Sequence, residues 1–376
     1  MSSIKSISAH SLRYPEPHDH GKPRCITLAR IESTDGAVGW GEGISQFPES
    51  ALATKIVIEQ GYAPLLVGEG ALDIDRLWDR MLARTWWYGP QGIAAFGASA
   101  VDMALWDLKG RILGQPVCDM IGGRRHERVS AMASIHLNMT DLDWTLNEFQ
   151  LFRDQGYRIV KGGWGKQPSA VFGLDRLRDL EFARRIREVI GDELELVLDV
   201  LGARVQWDLP TAIQRLHDLE PYRLKWIEEP LSPHDLAAHC ELRAAVKTWI
   251  GTGEQEWTTH GYKRLIESGG VDVVQMDPGR IHGITGCLKV IKLIESANLL
   301  FTAHSWSSAL NTAASVHLLA SSDRGLTMDF KPHESPIQYE LVSDPWIQEG
   351  GYVSVRNQPG LGVTVREEIV KKYEFS

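Results

Sequence analysis

Three apolar runs in this chain stop on acids: LELVLDV carries Asp199, LKWIEE ends in Glu228 and Glu229, and TWIGTGE ends in Glu254. Two later runs end on a different pair, Asp277 in VDVVQMD and His304 in LLFTAH. Carboxylates crowded into one place drive one another toward protonation unless a cation lies between them. A hard dication with oxygen ligands removes that conflict, and Mg²⁺ takes about six oxygens, substrate oxygens among them. The expectation is one Mg²⁺ per subunit held by Asp199, Glu228 and Glu254. A carboxylate beside an imidazole orients the ring and raises its basicity, so Asp277 with His304 reads as a pair that moves a proton. A lone acid at such a place is more simply a solvated loop residue or a helix N-cap. Several in register at successive strand ends are what single these out.

Something must bring them into register. From about residue 126 a short apolar run and a helix-like segment alternate, through VSAMASI, RIVKG, LELVLDV, LKWIEE, TWIGTGE, VDVVQMD, LLFTAH and LTMDF. The intervening segments, such as GLDRLRDLEFARRIREVIG and ITGCLKVIKLIESA, repeat apolar residues at three- and four-residue steps, as helices packed on a sheet require. Eight such units predict an α/β fold, a (β/α)₈ (TIM-like) barrel over 126–335. In that architecture functional groups sit where strands end, which converges the acids on one rim. Neighbouring strand residues face opposite sides, so Glu228 is placed inward and Glu229 behind it.

Residues 1–125 read as an α+β capping domain. CITLARIESTDGAVGWGEG suggests two strands joined at Asp35-Gly36, and GASAVDMALWDLKGRIL an amphipathic helix ended by Gly114 and Pro116. The tail, 336–376, has strand and turn character and is expected to return to this first domain. The formal charge of −9 is the wrong sign for a nucleic-acid partner. Four scattered cysteines without a CxxC pair suit a reducing compartment. No apolar stretch suggests a secretory signal or a membrane span, so the expected location is cytoplasmic.

Taken in order, GWGEG, ALWDLKGR, LDV, WIEEP, GTGE, the Asp277 and His304 pair and QPGLGV resemble the mandelate racemase subgroup of the enolase superfamily along essentially the whole chain. Enolase-superfamily sites pair a Lys or His base with Mg²⁺. The resemblance implies that Asp199, Glu228 and Glu254 bind Mg²⁺, that Asp277 supports His304 as acid or base, and that the chain forms a symmetric homo-oligomer. It also implies an acid at the eighth strand end that bonds the substrate carboxylate. Asp329 in TMDF holds that place, with Glu334 close by in sequence. Two positions depart from the pattern. Where relatives carry Lys-x-Lys after the second strand, this chain has Lys161 and then Gly163. The second base is thus missing, and Lys161 becomes an electrostatic partner of the substrate carboxylate. Leu201 replaces a residue that commonly donates a hydrogen bond.

Such sites remove a proton alpha to a carboxylate. Racemisation needs a donor on each face, which the loss at Gly163 disfavours. Dehydration needs one base and one acid, and a single histidine serves as both in turn. The expected activity is a sugar-acid dehydratase acting on aldonates or aldarates to give 2-keto-3-deoxy acids. A lactone cycloisomerase or a racemase/epimerase is the alternative, and a non-catalytic metal-binding barrel a further one. Trp164, His136, Arg280 and His282 end or follow barrel strands and are candidates for the pocket wall. The segments RYPEPHDHGK, with His18, His20 and Lys22, and SQFPES are candidate loops over the barrel mouth.

Overall fold

The computed structural model describes residues 2–19, 21–165, 171–201 and 207–376, with side chains at all of these but positions 18, 164 and 165. Three strands, β1 (Ile4–Glu16), β2 (Lys22–Ser33) and β3 (Val38–Gln46), form an antiparallel sheet in the order β1-β2-β3. The β2–β3 turn closes through Gly36 N–H donating to Ser33 O at 3.0 Å, with Gly36 at φ +87°. RYPEPHDHGK differs from the loop expected. It comprises the end of β1, a 3₁₀ turn at Pro17–Asp19 and the start of β2, with Pro15 paired to Pro23. Proline lacks a donor and is tolerated on an edge strand, and alternate burial of Leu12, Tyr14 and Glu16 fixes which face turns inward.

Alternate glycines in β3 set the contact with the long helix Ile93–Leu113. A Cβ on Gly39 or Gly41 would lie 2.2 Å from a helix carbonyl oxygen, Ala104 O or Ala100 O, and one on Gly43 would lie 2.5 Å from Phe96 O. Only glycine lets the strand and helix backbones approach this closely. The helix ends where Gly114 turns left-handed at φ +68°, as glycine does after a last helical turn. It is not amphipathic in effect: Ala94 to Leu108 are all buried. One side lies on the sheet, and the other reaches the barrel helix Gly283–Ser296, where Trp106 Nε1–H donates to Thr285 Oγ1 at 2.9 Å.

Eight parallel strands follow: β4 (Arg128–Leu137), β5 (Ile159–Gly165), β6 (Glu195–Asp199), β7 (Leu224–Glu228), β8 (Trp249–Thr252), β9 (Val273–Met276), β10 (Leu300–Ala303) and β11 (Gly325–Phe330). Each pairs with the next, and β11 closes on β4 through Met328↔Ala131 to Phe330↔Ala133. Met132, Ile159, Val197 and Trp226 form a separate buried cluster inside the barrel. Gly251 makes room for Trp226, whose ring would stand 2.7 Å from a Cβ there. Many helices begin on a side-chain cap: Asp141, Asp175, Asp208, Asp235, Thr258 and Ser308 each accept a backbone N–H of the first turn. Each such cap stabilises its helix by about 1 kcal/mol. They start the helices just beyond the loops that carry the rim.

The tail divides. A hairpin of β12 (Gln348–Glu349) and β13 (Tyr352–Ser354) adds antiparallel to the start of β4, on the barrel rather than the cap. Beyond it the chain does meet the first domain: Leu361 N–H donates to Asp107 at 2.8 Å, and Glu374 bridges to Leu12. Among the described residues no helix is long and apolar enough to cross a membrane.

Candidate active site

Strand register lays out the rim. His136 pairs with Gly163, Gly163 with Asp199, Asp199 with Glu228 and Glu228 with Gly251, one row across five strands. Glu228 is fully buried; its Oε2 accepts from Trp226 Nε1 at 3.2 Å and its Oε1 from the Lys161 ammonium. Glu229 turns the other way, at φ +50°, and accepts from Thr252 Oγ1 at 2.9 Å and from Gln255. The paired acids of WIEEP thus do different work: one faces the barrel axis, and the other ties β7 to β8 and the loop beyond it.

Lys161, from β5, lies among the acids. Its Nζ is 3.4 Å from both Asp199 Oδ2 and Asp329 Oδ1, as well as bonded to Glu228. Asp199, Glu228 and Asp329 therefore share one ammonium, with Glu254 paired to His304 instead. Burial first, then the charges of Glu228 and Glu254, hold the Asp199 carboxyl well above its ordinary range against the pull of Lys161. Burial likewise pushes Glu254 and Glu229 up to about 7. For Lys161 burial acts downward, but Asp329 and the other acids outweigh it and raise the ammonium well above its usual value. The donor set fits a hard divalent cation: all oxygen, short of positive charge, with Glu254 Oε2 buried and accepting no hydrogen bond. Among the described residues no three His, Cys, Asp or Glu side chains already stand at ligand separations. Lys161 Nζ lies between the acids instead.

His304 begins the loop after β10, held by its N–H to Met276 O at 2.7 Å. Its Nδ1 is 2.7 Å from Asp277 Oδ2, and its Nε2 faces Glu254 Oε2 at 3.6 Å. Asp277 is itself fixed, its Oδ1 accepting from Gly279 N at 2.7 Å and Asn311 Nδ2 at 3.0 Å. Burial opposes a charge on the ring, but Glu254 and then Asp277 outweigh it and push His304 up to about 10. As the floor stands, the ring holds its proton at neutral pH.

A cavity of about 470 Å³ opens over this floor. Lys161, Gly163, Asp199, Glu254 and His304 line it from the barrel, and Arg24, residues 44–47 and Ser50 from the capping domain. SQFPES therefore reaches the cavity as expected of a mouth segment. His136 and Arg280 also line it: His136 stacks on Trp306 with centroids 4.6 Å apart, and the Arg280 guanidinium lies 3.9 Å over Trp257.

Other candidates lie elsewhere. Asp329 is buried and absent from the cavity wall; it pairs in register with Met132 of the interior cluster, four residues short of His136 at the rim. Its Oδ1 lies 3.4 Å from Lys161 Nζ. His282 is a seam residue, its Nε2 2.7 Å from Pro90 O, and Glu334 and Lys22 are exposed. The side chains of Trp164 and His18, and residue His20, lie outside the described residues. The sequence reading missed Arg24, Gln255, Trp306 and Asn311. Trp306 and Gln255 carried a signal, each falling within two residues of a site group; Arg24 and Asn311 sit in unremarkable strand and helix sequence.

Two family models match the chain: the mandelate racemase / muconate lactonizing enzyme N-terminal domain over residues 20–122, and the enolase C-terminal domain-like model over 145–369. The L-talarate/galactarate dehydratase of Salmonella typhimurium is 31% identical over 349 residues, spanning 91% of this chain and 81% of that protein. Among solved structures, the 3,6-anhydro-D-galactonate cycloisomerase from Zobellia galactanivorans superposes with a TM-score of 0.90 at 29% identity, covering 100% of both chains. A racemase from Streptomyces coelicolor A3(2) with bound magnesium gives 0.86 at 27% identity, covering 99% of this chain and 100% of that one.

Proposed function

The chain belongs to the mandelate racemase/muconate lactonizing enzyme family of the enolase superfamily, and from that premise we propose that it is a Mg²⁺-dependent hydro-lyase acting on sugar acids. Asp199, Glu228 and Glu254 would hold the metal, a reading supported by the magnesium bound in the Streptomyces racemase and by the unbonded Glu254 oxygen. When bound, Mg²⁺ supplies Lewis-acid stabilisation of the negative charge that gathers on the substrate carboxylate as its alpha proton leaves. Unaided imidazole, with an ordinary pKa of about 6.5, is far too weak a base for that proton.

The single observation carrying the proposal is the posture of His304. Nδ1 is fixed 2.7 Å from Asp277, so Nε2 alone faces the cavity and the acidic floor. The base role requires that the charge of Glu254 be neutralised by something other than the ring. His304 Nε2 then takes the alpha proton, and the resulting imidazolium is stabilised by Asp277. It returns that proton to the departing beta hydroxyl, water leaves, and the enol tautomerises to a 2-keto-3-deoxy acid. Lys161 stays charged at the floor and faces the substrate carboxylate.

A racemase needs a second donor on the opposite face. A Cβ at Gly163 would lie 2.3 Å from Asp199 Cβ, so no side chain stands there. A cycloisomerase is the second reading, favoured by the likeness to the Zobellia enzyme; it uses the same proton relay but yields a product of unchanged mass. A barrel without catalysis has no use for so fixed an Asp277–His304 pair. Incubation with Mg²⁺ and a panel of pentonic, hexonic and aldaric acids, with the 2-keto product trapped and weighed, tests the proposal. Loss of one water supports it, and no product across the panel sinks it.

A further inference from the structure

The charged groups around the cap side of the cavity are nearly all satisfied. Lys331 and Glu16 form a fully buried pair at 2.6 Å, and Glu42 accepts the hydroxyls of Ser307 and Ser308. Arg24 stands out, with two buried nitrogens unmet where Arg280, from the barrel, has one, Nε. Its side chain is only 13% exposed, its nearest carboxylate, Asp19, stands off at 3.8 Å, and its Nε and Nη2 are buried and donate to nothing described. Those two nitrogens form one edge of the guanidinium, the fork that grips a carboxylate through two parallel hydrogen bonds. Leaving such donors buried and unmet is costly, which marks the position as one completed by a ligand.

Arg24 is also held in place relative to the chemistry. Its guanidinium lies 4.5 Å over the ring of Trp306, two residues beyond His304, and Trp306 Nε1–H donates to Ser134 O at 3.1 Å. The cavity lining is therefore of two unlike kinds. The barrel contributes Lys161, Asp199, Glu254 and His304, and the cap an unmet guanidinium fork. Its volume of about 470 Å³ falls within the range of roughly 300–1,000 Å³ usual for small-ligand sites.

We infer that the substrate is a diacid, an aldarate rather than an aldonate, whose second carboxylate is held by Arg24 at the end remote from the reacting carbon. This rests on the hydro-lyase reading for the sugar-acid class, and goes beyond it in naming which kind of sugar acid. The test compares stereochemically matched pairs that differ only in that terminal group, galactarate with galactonate and glucarate with gluconate, on the Mg²⁺-loaded enzyme. Turnover and equilibrium binding by calorimetry are both measured. The expected result is a kcat/KM for the preferred aldarate about 100-fold above its aldonate partner, a ratio that collapses toward 1 in Arg24→Met. Arg24→Lys, which keeps the charge but loses the fork, is expected to recover part of it.

Dehydration of aldonates as readily as aldarates, with a ratio indifferent to Arg24→Met, overturns the inference and leaves the hydro-lyase reading standing. Aldarates that bind through Arg24 but are not dehydrated sustain the diacid site and sink the hydro-lyase. Neither acid bound nor turned over, or an aldonate 6-phosphate preferred over every aldarate, also overturns it.

Discussion

Two sets of buried acids in this molecule are opposites. At the seam between cap and barrel, Asp102 accepts from Thr285 N at 2.9 Å and Thr285 Oγ1 at 2.6 Å. Where the tail meets the cap, Asp107 takes Trp40 N at 2.9 Å, Leu361 N at 2.8 Å and Arg111 Nε at 3.0 Å, and back at the seam Glu42 takes two serine hydroxyls. At the cavity floor, Asp199, Glu228 and Asp329 share Lys161, Glu254 faces His304 at 3.6 Å, and Glu254 Oε2 and Asp329 Oδ1 accept no hydrogen bond. Burial raises carboxyls in both places. Burying an acid is therefore no mark of function in itself. What sets the floor acids apart from those of the seam is that their donors are missing.

That contrast predicts which property each set controls. The largest effect belongs to the floor's proton carrier. His304→Asn should lower kcat by about 10²–10⁴-fold while the melting temperature barely moves; a loss under tenfold would mean that the ring carries no proton in the rate-limiting step. Next comes the metal. Removing divalent ions with EDTA should abolish turnover, and Mg²⁺ added back at 100 times its dissociation constant should stabilise the fold by about 2.7 kcal/mol. In a thermal-shift series that increment should vanish in Glu254→Gln and persist in Asp102→Asn. An increment of equal size in both variants would erase the distinction between floor and seam.

The smallest effect on turnover is at the seam. Burial raises Asp102 from 3.8 to about 7, so the folded chain keeps a proton that the unfolded chain releases. The resulting stability is present in full below 3.8 and fades as pH rises through about 7. Chemical denaturation from pH 4 to 8 should show wild type losing up to a few kcal/mol relative to Asp102→Asn, at about 1.4 kcal/mol per pKa unit. Parallel curves would show that Asp102 is already ionised in the folded protein.

The barrel and its acids were legible because strand ends fix direction: a strand ending in LVLDV or KWIEE commits one carboxylate to the axis by alternation alone. The split of Glu228 from Glu229 followed from the same rule. Asp329 obeyed the alternation, and the stagger of the closed barrel sets it just past the Met328↔Ala303 pair, beside His304, on one side and beside Met132 on the other. No single strand records that stagger. β1 was missed because Ser, His and a proline mask its alternation. The partners that decide which acids are satisfied, such as Thr285 for Asp102, lie 183 residues away in the chain and leave no local trace.

The glycines of β3 and the hydrogen-bonded seam have one practical consequence. Trp78 Nε1–H to His282 O at 2.9 Å, Trp106 to Thr285 and Ile44 N–H to Gly279 O at 3.1 Å bolt the first domain onto the cylinder. That domain is no hinged cover, and the cylinder is no module to be cut free. A truncation starting near residue 126 would bare an apolar helix flank and strand Thr285, Ser307 and Ser308 without their acceptors. It should yield inclusion bodies, not a smaller catalyst.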